Sequence, residues 1–69
     1  MIKDWNINGI ADEVMKAMRE DHAPVEDADD YVQKIAYWTV YSRDTRSAGA
    51  VAALVKEKVE EKYEGEDGT

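Results

Sequence analysis

The chain has 69 residues, with 16 acids against nine lysines and arginines, a net charge of −7, one histidine, one proline and no cysteine. That length holds one small domain at most, and without cysteine it has neither disulfides nor thiolate metal sites to staple it. Its 43% hydrophobic content is too high for full disorder, and no run approaches the roughly 18 apolar residues of a membrane span. Met1 to Asp4 shows no basic start leading into an apolar run, so no signal peptide is expected.

The first element is a helix over about residues 6 to 21. Ile7, Ile10, Ala11, Val14, Ala17 and Met18 recur at three and four on one stripe, with Asp12, Glu13, Lys16, Arg19 and Glu20 opposite. Asp4 or Asn6 is expected to cap its start, and Gly9 weakens the first turn. His22-Ala23-Pro24 ends it, because the residue before proline is pushed out of the helical region. His22 then falls in the last turn, where a cationic imidazole suits the negative helix end.

A second helix is expected over about 27 to 42. Asp27 is its N-cap candidate, and Asp29 and Asp30 face the positive end of the helix dipole. Ala28, Tyr31, Val32, Ile35, Ala36 and Thr39 carry the helical spacing. Tyr37 to Tyr41 is aromatic and β-branched, which is strand chemistry, but no second strand exists to pair with it. A third helix over about 47 to 63 follows the Arg43–Arg46 connection, capped by Ser47 or Asp44. Ala48, Val51, Ala52, Val55, Val59 and Tyr63, with Leu54, form its stripe, and Lys56 is placed to pair with Glu60. Gly65 stops it. The expectation is an all-α, small three-helix bundle over 1–64, with a disordered acidic C-terminal tail at 65–69.

Reaction chemistry is not in view. His22 offers a metal no second ligand of its kind, and Ser42 and Ser47 read as helix-end residues. The Asp27-Ala28-Asp29-Asp30 run invites a calcium loop. Counted from Asp27, however, the fifth position is Tyr31 and the sixth is Val32, where an oxygen ligand and a glycine are required. No catalytic, cofactor-binding or metal residue is assigned, and the chain reads as a non-enzyme.

Charge is distributed unevenly. Residues 1–33 hold nine acids against Lys3, Lys16 and Arg19, a balance of −6. Residues 34–56 are +3, with Lys34, Arg43, Arg46 and Lys56 against Asp44, and residues 57–69 are −4. Asp21, Glu26, Asp27, Asp29 and Asp30 form a carboxylate run that could compete with nucleic acid for lysines and arginines on a basic protein. The aromatic group of Trp5, Tyr31, Tyr37, Trp38, Tyr41 and Tyr63 is expected mostly to fill or cover a core that has no Phe. Helix 2 cannot turn Tyr37, Trp38 and Tyr41 onto the same stripe as Tyr31 and Ile35, so at least one of them is left outside as a candidate anchor for a partner.

From Asp29 to Ser42 the stretch Asp-Asp-Tyr-Val-Gln-Lys-Ile-Ala-Tyr-Trp-Thr-Val-Tyr-Ser resembles a segment of short uncharacterised proteins encoded by bacteriophages and prophages, over about a fifth of the chain. The resemblance implies a setting in which small, acidic, cysteine-free proteins inhibit host defence or polymerase machinery, anti-CRISPR proteins included. It also implies the cytoplasm of the host cell as the location. The leading expectation is therefore an acidic interaction protein that blocks a basic, nucleic-acid-handling partner, without binding nucleic acid or membrane itself. Two other readings stand beside it. One is a helix-turn-helix built on Arg43 and Arg46, opposed by phosphate repulsion of a −7 chain. The other is a structural homodimer built on the small residues Ala48, Gly49 and Ala52.

Overall fold

The computed structural model describes residues 5–63, and among them three helices and no strand. Helix α1 spans Ile7–Glu20. Helix α2 is composite: a 3₁₀ turn at Val25–Asp27, an α turn at Ala28–Tyr31, a π segment at Val32–Tyr37 and an α turn at Trp38–Tyr41. Helix α3 spans Ala48–Lys62. The expected tail at 65–69, the stop at Gly65 and the Asp4 cap lie outside the described residues.

The helix ends are made differently from the sequence expectation. Asn6 caps α1, its side chain accepting from the Gly9 N–H at 2.9 Å. At the other end α1 stops before proline acts, through a Schellman turn. His22 takes the left-handed conformation (φ 57°), the Ala23 N–H donates to the Met18 carbonyl at 2.9 Å, and the His22 N–H donates to Arg19 at 3.1 Å. His22 is thus one residue past the helix cap, not in its last turn. Asp27 makes no side-chain cap bond, and the cap position of α2 instead falls three residues earlier, on the extended Pro24. Ser47 is the N-cap of α3 by position, but its hydroxyl donates to Asp44 Oδ2 at 2.7 Å and not to the helix. Helix α3 ends at Lys62 as Tyr63 turns extended.

The π segment follows from the spacing of the buried residues. Ala28, Val32, Ala36 and Val40 are each no more than 2% exposed and recur strictly every four positions. On an α-helix, at about 3.6 residues per turn, that stripe drifts by about 40° at each step. A π turn closes one residue later, so widening the middle of α2 removes drift and keeps all four side chains inward.

Short connections fold the three helices into a bundle 37 × 17 × 16 Å. Lys56 meets Asp29 and Tyr63 meets Ala23, so α3 runs antiparallel to α2. The core is aliphatic: Met18, Val14, Val40, Val51, Val55 and Val59 are its largest fully buried side chains, interleaved with alanines. As expected, most of the aromatics fill or cover the core: Tyr63 is buried, and Trp5, Tyr31 and Tyr37 are half-buried against it. Between the helices lie buried alanines at 11, 28, 36, 48 and 52, small side chains that suit close helix packing. Leu54 leaves its expected stripe and is 38% exposed, since Val51 and Val55 already occupy the inward positions. No helix among the described residues is long and apolar enough to cross a membrane.

Candidate protein-interaction surface

The last turns of α2 carry a cluster of three rings. Trp38 is 57% exposed and Tyr41 40%, while Tyr37 is half-buried. Trp38 meets Tyr37 edge-on at 5.4 Å and Tyr41 at 5.3 Å between centroids, and Tyr37 stacks on Tyr41 at 5.7 Å. These are favourable geometries for aromatic pairs, so the rings hold one another while presenting one face to solvent. The backbone beneath is tied by hydroxyls. Thr39 Oγ1 donates to the Ile35 carbonyl at 2.5 Å, and Ser42 Oγ donates to the Thr39 carbonyl at 2.9 Å, which satisfies oxygens at the end of the helix.

The carboxylates predicted as partner-binding sit at the opposite end of α2. Asp29 and Trp38 are nine positions apart, about 13 Å along a helix axis. Two of these acids are engaged within the chain. Asp21 Oδ2 accepts from the Tyr31 hydroxyl at 2.7 Å, and this bond, with smaller contributions from desolvation and the Asp21 and Asp27 charges, pushes the phenol up to about 12. Asp29 Oδ1 lies 3.6 Å from Lys56 Nζ, so Lys56 reaches across to α2 where pairing with Glu60 was expected. Glu26, Asp27 and Asp30 are exposed and have no ion-pair partner among the described residues.

The basic middle segment read from the sequence adjoins the rings. The exposed Arg43 and Arg46 follow the aromatic end, while Lys34 reaches back to the Tyr31 ring, its ammonium 5.0 Å from the centroid, so α2 is acidic at its start and runs through the rings into a basic turn. The +3 balance of residues 34–56 was the available signal. Beside α2 runs an open groove of about 290 Å³, floored by Val32 and Tyr37 on one side and Gly49, Ala52 and Ala53 on the other. The Asp29–Lys56 pair also lines this groove. Of the small residues considered for a homodimer, Ala48 and Ala52 are buried in the chain's own core and Gly49 remains at the surface. The first turn of α3 exposes Gly49 and Ala50, neither of which has a side chain that can hydrogen-bond a base edge. Among the described residues no three His, Cys, Asp or Glu side chains converge to hold a metal.

Compared with known protein families, curated proteins and solved structures, the chain matches none.

Proposed function

We propose that the chain is a non-enzymatic interaction protein that docks through α2 on a basic, nucleic-acid-handling partner. The exposed Trp38–Tyr41 pair is the observation that carries this reading. Two large rings, braced by Tyr37 and held on the last turn of α2, are a preorganised anchor of the kind that dominates protein interfaces. Glu26, Asp27 and Asp30 supply charge for arginines and lysines of the partner, while Asp21 and Asp29 contribute less because Tyr31 and Lys56 already engage them. In the phage setting implied by the Asp29–Ser42 resemblance, such contact would inhibit by covering a groove that otherwise holds nucleic acid.

The experiment is affinity capture from the source host, with the wild-type chain and a Trp38→Ala/Tyr41→Ala variant as parallel baits. The expected result is a basic nucleic-acid-handling protein held by wild type, lost on the variant and released by salt. Equal retention by both baits overturns the reading.

A further inference from the structure

We propose that the exposed side of α2 is also a self-association surface, on which two copies of this chain pack antiparallel about a twofold axis at Trp38. The proposal does not rest on the heterologous partner above, although the two would compete for Trp38 and Tyr41. Its basis is the charge order along α2: exposed Glu26, Asp27 and Asp30 at the start, with no ion-pair partner among the described residues, the open rings next, and exposed Arg43 and Arg46 in the turn beyond the end. Antiparallel apposition lays the acidic end of each copy against the basic turn of the other, whereas parallel apposition sets like against like.

The position of the axis follows from Lys34. A twofold near residue 34 would bring two lysine ammoniums together. Moved one turn on, to Trp38, it sets Trp38 against its own copy, Lys34 level with Ser42, and the Arg43–Arg46 turn over the Asp30 end. Both exposed rings are then covered together, as an isologous contact requires. A standard interface takes about 800 Å² from each partner, roughly a sixth of this chain's 4770 Å² surface. One helix face provides less than that, so the dimer is a micromolar one or weaker.

Sedimentation equilibrium of the full chain from about 5 to 500 μM tests this directly, with no partner present. The expected result is a mass rising from monomer towards dimer, with Kd about 10-fold weaker at high salt than at low. Arg46→Glu and Asp30→Arg should each weaken association about 5–10-fold, and the two in one chain should restore it, because the swapped charges meet again across the twofold. Trp38→Ala, with helicity verified by circular dichroism, should leave a monomer. A monomer at the highest concentration, a salt-independent Kd, or a double reversal no stronger than either single change overturns the proposal. Mass growing beyond a dimer overturns the closed twofold.

Discussion

Replacing Tyr63 by Phe tests how the bundle is closed. Tyr63 lies just past α3, is 7% exposed, and donates from its hydroxyl to the Ala23 carbonyl at 2.6 Å across 40 positions of sequence. The bond joins the end of α3 to the turn between α1 and α2, and both partners are buried. Removing the hydroxyl leaves that carbonyl without this donor, which costs about 1–2 kcal/mol, more than an exposed bond would. The ring itself stays, and with it the Arg19 guanidinium 5.9 Å from its centroid. A domain of this size holds about 3–5 kcal/mol in total, so the loss is on the order of a third. At about 4–8 °C per kcal/mol, Tm should fall by roughly 5–15 °C. Urea unfolding followed by far-ultraviolet circular dichroism should show a lower midpoint at unchanged slope. A Tm within about 1 °C of wild type would refute the reasoning, because the hydroxyl would then be exchanging with water at no cost.

Three further outcomes follow from the same geometry. His22 occupies a left-handed position, so His22→Gly should be more stable than His22→Ala by about 1 kcal/mol in paired melts, both variants having lost the imidazole. Tyr31, raised from 10.0 to about 12 by its bond to Asp21, binds its proton more tightly when folded; its contribution is intact below pH 10 and is lost as pH climbs towards 12. An absorbance titration should show a tyrosine step near pH 12, which Tyr31→Phe should remove. The two helix-start glycines should part company. Gly49→Ala enters open space and should stabilise by about 0.5–1 kcal/mol, whereas a Cβ at Gly9 would sit 2.5 Å from Asn6 Nδ2 and disturb the cap, cancelling or reversing that gain.

The three helices were legible because the period of apolar residues reports on burial directly. The end of α1 was less so. A Schellman turn depends on a backbone conformation that glycine signals and histidine does not, so proline drew the attention and His22 made the turn. The caps at Asp27 and Ser47 failed for a related reason. A side chain that can cap can equally bond elsewhere, and Ser47 donates to Asp44. Aromatic burial was legible in outline, since Tyr63 fills the core and Trp5, Tyr31 and Tyr37 cover it. Which rings would stay outside was less so, because that depends on which positions of α2 the buried alanines at 28 and 36 turn inward.

The candidate site combines both kinds of signal. That Tyr37, Trp38 and Tyr41 cannot all be hidden is a matter of helix circumference, and it required no coordinates. Where the exposed rings stand relative to the charges depends on the phase of α2, which the π segment resets between Asp30 and Trp38. A stripe of Ala28, Val32, Ala36 and Val40 has a period of four, between α and π, and hydrophobic patterning alone reads it as an ordinary helix. The widened turn keeps that stripe in the core and so fixes which residues remain outside. The acids therefore gather at one end of α2 and the exposed rings, followed by Arg43 and Arg46, at the other. Any binding surface on this helix is for that reason two-signed: a partner must offer basic groups to the first turns and tolerate or neutralise arginines beyond the last, a pattern that a second copy laid antiparallel provides.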